Sequence, residues 1–554
     1  MVWLALACSA HAQSPWDRLV QRYADEAVLK FAPSSATSAG FHQWDTSLED
    51  FSQTAIQEQT RVLRSFERET AAFAGAAPDR DLVLSSIRST LLGLESIRMW
   101  EKNADTYSST ASGAAFAIMS RKYGPPEKRL ESLIARERRM PNLFAQARVN
   151  LKNPPRVYTE VAIEQLPGII EFFEKDVPLA FHDVKDQRLL GEFHSTNAAV
   201  LKELHGYLAW LRSDLLPRSN GDFRLGADNY RRKLLYDEMV DIPLDRLLQI
   251  GYDDLHRNQE AFRQTAKKID PSKTPQQILD TAEKDHPSAG QLLQSFGNTL
   301  EGLRAYVVEH KLLTIPTAPL PILEETPAFA RALTSASMDM PGPFEKVAKE
   351  AFFNVTLPDK ALKPREVEEY LEGFNRGTIA STAIHEAYPG HYVQGLWLDR
   401  APSMARKLLG ANTYVEGWAH YCEQMMIDEG YGNGDLKLRL GQLQDALLRD
   451  ARYVAAIQMH TGKMTMEQSV EFFVKEGFQT RPTAEKETKR GASDATYLYY
   501  TLGKLEILKL REDYRKLRGS AFTLQEFHDK FLGQGNPPIR VVRRAMLGND
   551  SPVL

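Results

Sequence analysis

Apolar residues recur at three- and four-residue intervals through most of this chain, and that period commits it to a helical fold. The stretches Pro15–Leu29, Gln53–Phe73, Asp81–Trp100, Pro126–Leu151, Gln187–Leu216 and Leu244–Ile269 carry it. So do Ala289–Lys311, Pro364–Ala387, Thr413–Glu429, Asp435–Thr461, Thr465–Glu476 and Asp494–Leu517. Thr465 with Gln468 reads as a capping box, Thr523 with Glu526 offers a similar start, and Pro364 sits where a first-turn proline is tolerated. Strand signal is scarce. Leu312–Leu323 is extended and interrupted by Pro and Thr, and Phe352–Leu357 (FFNVTL), ending at Pro358, is the best strand. The expectation is a mainly α fold with a minor β element. No repeat or low-complexity linker divides residues 13–554, so they read as one helical domain, or as two helical lobes around one cleft.

A net charge of −4 from 69 basic and 73 acidic residues leaves no basic footprint for nucleic acid. No run approaches the length of a transmembrane helix. Residues 1–12 differ from the rest: MVWLALA is apolar, and Ala10-His11-Ala12 is a small-x-small cleavage site. This reads as a signal-peptide remnant without its basic n-region, hence as an exported, periplasmic protein; a buried N-terminal helix is the alternative. Ala5 stands where a lipoprotein signal has a larger aliphatic residue, which argues against anchoring through Cys8. Cleavage after Ala12 would leave Cys422 alone, so no intramolecular disulfide is expected.

The chemistry concentrates in His385-Glu386-Ala387-Tyr388-Pro389-Gly390-His391. Zinc-peptidase helices place two His four apart, because i and i+4 share a face. Here the spacing is six, which on a straight helix turns the imidazoles about 120° apart. Pro389 and Gly390 lie in the gap, so the helix should end, bulge or kink between Ala387 and His391. Glu416 follows in TYVEGWAHYCEQ with Glu423 on the same helical face. A crossing helix could bring Glu416 in as third ligand, with Glu423 behind as acceptor for a ligand imidazole. Two His and one Glu leave a coordination position for water, and Glu386 is the natural base for it. His420, on the face of Glu416, is either a ligand, a neighbour behind the ligands, or a contact for substrate.

The segments HEAYPGHYVQ, YVEGWAHYCE, YLYYTLGKLEILKLR and the N-terminal GFHQWDTSLEDFS resemble the bacterial domain-of-unknown-function-885 family over nearly the whole chain. That family is placed with the gluzincin metallopeptidases, and YVEGWAHYCE is similar to the third-ligand helix of thimet oligopeptidases. The resemblance implies Glu416, rather than Glu423, as the ligand. It also implies a large helical gluzincin-like fold with the site deep between lobes, suited to short peptides. The six-residue His spacing departs from the thimet group.

Near the C-terminus, Tyr497 and Tyr500 are candidate donors to an oxyanion, or core aromatics; Tyr500 is preferred. Arg490 could grip a substrate carboxylate, or be a solvated member of the patch Lys486-Lys489-Arg490. The expected protein is a hydrolase holding one zinc per chain on His385, His391 and Glu416 and cleaving short peptides. The rivals are a zinc amidase or carboxypeptidase-like enzyme acting on a modified amide, and a non-catalytic periplasmic binding protein with structural zinc.

Overall fold

The computed structural model describes residues 14–327, 331, 334–549, 551–552 and 554. The leader-like residues 1–12, with Cys8, lie outside the described residues. Helices dominate, as the periodicity requires, and Leu244–Ile269 forms with the bounds read from its pattern. Thr465 makes its capping box with Gln468, and the Thr523 side chain accepts the Glu526 amide. Longer patterns break where a local group competes with the helical ladder. Pro364–Ala387 divides into Pro364–Leu371 and Arg376–Glu386, because the Asn375 side chain caps the amides of Gly377 and Thr378. Asp81–Trp100 is interrupted at Arg98, which turns left-handed (φ 56°).

Several helices carry no readable stripe. Asp105–Met119, rich in Ala and Ser, is buried on most sides and so lacks an amphipathic face. Arg156–Glu171 contains an internal proline, Pro167. Three short strands form one sheet in the order β1-β3-β2: β1 Ile322–Glu325, β2 Ala336–Asp339 and β3 Phe352–Val355. β3 pairs parallel with β1 and antiparallel with β2. β3 lies within the expected FFNVTL, whereas β1 takes only Ile322 and Leu323 from the extended stretch before it.

Four helices pack on one another, the first of them also against β2: Arg376–Glu386, Asn412–Asp428, Leu436–His460 and Tyr499–Arg518. Glycines set how closely they approach. A Cβ on Gly417 would sit 2.6 Å from Gly503 Cα, and one on Gly503 would collide with the Thr413 carbonyl oxygen. Gly441 meets Gly377 in the same way, where a Cβ would lie 2.6 Å from the Gly377 carbonyl carbon. Backbone rests on backbone at both crossings, so an added methyl cannot be absorbed by a rotamer change. Gly503→Ala is therefore expected to destabilise the fold by about 1–3 kcal/mol, read as a lower urea midpoint. An unchanged midpoint would show that the crossing tolerates spreading.

Candidate metal centre

The helix Arg376–Glu386 delivers His385 in its last turn and stops at Glu386. The chain then folds back across the helix end. Tyr388 donates its amide to the Ala383 carbonyl, and Gly390 donates to Ile384 at 2.9 Å. A side chain at Gly390 would strike the His385 carbonyl oxygen, so only glycine permits this return. A new helix, His391–Trp397, begins at once and presents the second imidazole. The Trp418 indole, from the neighbouring helix, donates to the Pro389 carbonyl at 2.9 Å and ties the turn down. The six-residue spacing is thus bridged by a helix end and a restart.

The result brings His385, His391 and Glu416 together, with one ligand atom from each within 4.8 Å of the others. Glu416 Oε2 lies 3.3 Å from His385 Nε2 and 3.4 Å from His391 Nε2. That oxygen is buried and has no hydrogen-bond partner. An orphaned carboxylate oxygen between two imidazole nitrogens is costly unless something else satisfies it. Ligands held 2.0–2.1 Å from a tetrahedral ion stand about 3.3–3.4 Å apart, the separation seen on both sides of Glu416. The donors fit a divalent ion such as zinc.

Behind the three residues, Glu423 is fully buried and occupied on both oxygens. Its Oε1 lies 2.6 Å from His385 Nδ1 and 2.8 Å from Arg449 Nη2, and its Oε2 lies 3.0 Å from His420 Nδ1. A proton on His385 Nδ1 leaves the Nε2 lone pair aimed at the site. Burial opposes ionisation of Glu423, but the Arg449 charge, His420 and the His385 hydrogen bond overcome it and hold the carboxyl well below its ordinary value. Glu416 is likewise held low against its burial, by the charges that the neighbouring His391 and His385 imidazoles can carry. Burial pulls the His385 pKa down, but the nearby Glu416 carboxylate and the hydrogen bond to Glu423 raise it to about 10. A metal therefore competes with a proton for this imidazole. Glu423→Gln keeps the shape and removes the charge. It is expected to weaken zinc binding by about 10–100-fold in chelator competition, and an unchanged affinity would remove Glu423 from the account.

The other candidates separate clearly. His420 sits behind Glu423, outside the ligand group, and burial, with the nearby Lys504 charge, lowers its pKa to about 3, so it is neutral. Glu386 lines the same cavity as His385 and Tyr500, on the helix that packs against β2; burial raises its pKa. Tyr500 stacks 6.3 Å from the His385 ring and accepts a hydrogen bond from Arg490 at 3.0 Å. Its own proton has no acceptor among the described residues, so it is available to a group in the cavity. Tyr497 is not brought to the site. It precedes the helix that starts at Tyr499, packs its phenol against Gly491, and donates to the Glu487 carbonyl. Nothing in the sequence singles out Arg449, since one arginine on a long amphipathic helix carries no distinguishing mark.

Two cavities reach the ligands. One of about 1010 Å³ touches His391 and Glu416 and has apolar walls that include Val28, Leu29, Leu408 and Val415. The other, about 790 Å³, touches His385, Glu386 and Tyr500 and holds most of the cations. β2 borders both, through Met338 on the first and Ala336 on the second.

Comparison with solved structures finds the same fold in a "putative lipoprotein of unknown function" from Shewanella oneidensis. It is 25% identical with a TM-score of 0.80, over 97% of this chain and 100% of that one. A "putative lipoprotein from Colwellia psychrerythraea" is 19% identical with a TM-score of 0.81, over 97% and 99% of the two chains. No curated protein matches. The family model described as "Bacterial protein of unknown function (DUF885)" matches residues 33–546, and on that span the chain belongs to this family.

Proposed function

We propose that this protein is an exported zinc hydrolase that cleaves amide bonds of short peptides. The observation that carries the reading is the buried, unpartnered Glu416 Oε2 between two imidazole nitrogens. Zinc on His385, His391 and Glu416 would supply a Lewis acid and an easily deprotonated water. The rest of the reaction falls to the chain itself. Glu386 accepts a proton from the attacking water and returns it to the leaving nitrogen. Tyr500 donates its free hydroxyl proton to the oxygen that becomes negative as the carbonyl is attacked. β2, an edge strand beside Glu386, offers backbone groups to an extended peptide. These features support the likeness to gluzincins that the motifs suggest.

Three protein donors beside open cavities favour catalysis over a structural site, which is normally closed by a fourth ligand. His420, the residue suited to closing it, is engaged by Glu423 instead. A zinc amidase on a modified amide shares all this chemistry and differs only in substrate. Digestion of a mixed short-peptide pool by zinc-loaded protein, read by mass spectrometry, tests the reading. Cleavage that stops on chelation is expected; a pool left intact at full zinc occupancy would favour the binding-protein alternative.

Export is supported by the leader-like residues 1–12 and by the names of the two structural neighbours. No described helix is long and apolar enough to cross a membrane. Those names also weigh against dismissing Cys8 as a lipid anchor on the strength of Ala5.

A further inference from the structure

The cavity that holds Tyr500 has five cations in its wall, and their pairing is uneven. Arg449 is matched by Glu423 at 2.8 Å, Arg452 by two hydrogen bonds to Glu487, and Lys489 by Glu164 at 2.6 Å. Arg490 is not matched in this way. Its one hydrogen bond runs from Nη2 to the Tyr500 hydroxyl, while the Asp494 carboxylate stays 3.6 Å away and takes the Tyr499 hydroxyl. A guanidinium carries five N–H donors, so most of this fork has no protein acceptor among the described residues. Lys486, one helical turn earlier on the same wall, has no ion pair among the described residues. Of the acids in this wall, Asp445 lies beside Arg449, Glu386 beside the histidines, and Glu485 is solvent-exposed.

Position gives these free donors a use. The Arg490 guanidinium carbon is 5.8 Å from the Tyr500 ring centre, and that ring is 6.3 Å from His385. One tyrosine thus separates Arg490 from a metal ligand, a gap an extended peptide crosses in at most about three to four residues. The opposite side of the ligands opens on the larger cavity, where apolar residues such as Val28, Leu29, Leu408 and Val415 stand beside Lys349, Asp399 and Arg400. We propose that Arg490 and Lys486 form a carboxylate-binding subsite, which makes the substrate a short peptide or acylated amino acid with a free carboxylate close to the bond that is cut. This rests on the hydrolase reading. The planar fork of Arg490 suits two parallel hydrogen bonds to a carboxylate, Lys486 adds charge, and the larger cavity receives the apolar part of the substrate.

The test measures equilibrium binding of N-acetylated apolar tripeptides to the zinc-loaded Glu386→Gln protein, which should hold them uncut. Three forms are compared: free C-terminal carboxylate, C-terminal amide, and an amide with one internal glutamate. The free acid is expected to bind about 10–100-fold tighter than the plain amide. If the glutamate peptide matches the free acid, an acidic side chain is an equally good source of the carboxylate. If it matches the amide, the chain terminus is the source. Arg490→Gln, and separately Lys486→Gln at the exposed position, should shrink the preference, whereas Lys489→Gln, which removes a paired cation, should retain it. Equal affinity for all three peptides in the unsubstituted wall overturns the subsite, and this comparison needs no wall variant to fold. Turnover by wild type is read in parallel. Discrimination without turnover removes the hydrolase reading and keeps the subsite; turnover without discrimination does the reverse.

Discussion

Replacing Glu386 by Gln is expected to lower peptide turnover by about 10²–10⁴-fold while leaving zinc in place. Glu386 follows His385 directly, and neighbouring helical side chains diverge by about 100°, so it is not among the ligands. Glutamine has the shape of glutamate and keeps a carbonyl acceptor, so the side chain can keep its place between His385 and β2. Only the capacity to take and return a proton is lost. Assays at matched zinc content separate this from metal loss. Equal rates for wild type and variant would end the assignment of Glu386 as base.

His391→Ala is expected to strip the metal. Losing a hydrogen-bond partner behind a ligand costs about 10–100-fold in affinity, and losing the ligand itself should cost more. His391 is a cleaner choice than His385 because less depends on it. Its Nδ1 has only a 3.4 Å contact with Gln394, whereas truncating His385 would also deprive the buried Glu423 of a partner. Zinc content after dialysis against a mild chelator should fall from about one per chain to near none, and activity with it. A variant that keeps full zinc would place the metal elsewhere.

Much of this was legible in the sequence because the relevant signals are local. Capping at Thr465 needs only the residues within one turn, and Glu416 and Glu423 share a face by helical period alone. The break between the histidines was readable from Pro389-Gly390, but its form was not, since it depends on Gly390 passing under the His385 carbonyl. β2 went unseen because Ala336–Asp339 has no β-branched residue and exists only by pairing with β3. Tyr497 and Tyr500 look equivalent when one helix is assumed to carry both. The helix begins at Tyr499, so one phenol turns into the core and the other into the cavity. Arg449 and the unpaired fork of Arg490 depend on which charges meet across separate helices, which no local pattern encodes.

Everything above turns on one zinc ion held by His385, His391 and Glu416. Anomalous diffraction at the zinc edge, from crystals grown with one equivalent of zinc, tests it most directly. A single strong peak is expected about 2.0–2.2 Å from His385 Nε2, His391 Nε2 and a Glu416 carboxylate oxygen. A peak at other residues, or no peak at the triad after soaking in excess zinc, would contradict it.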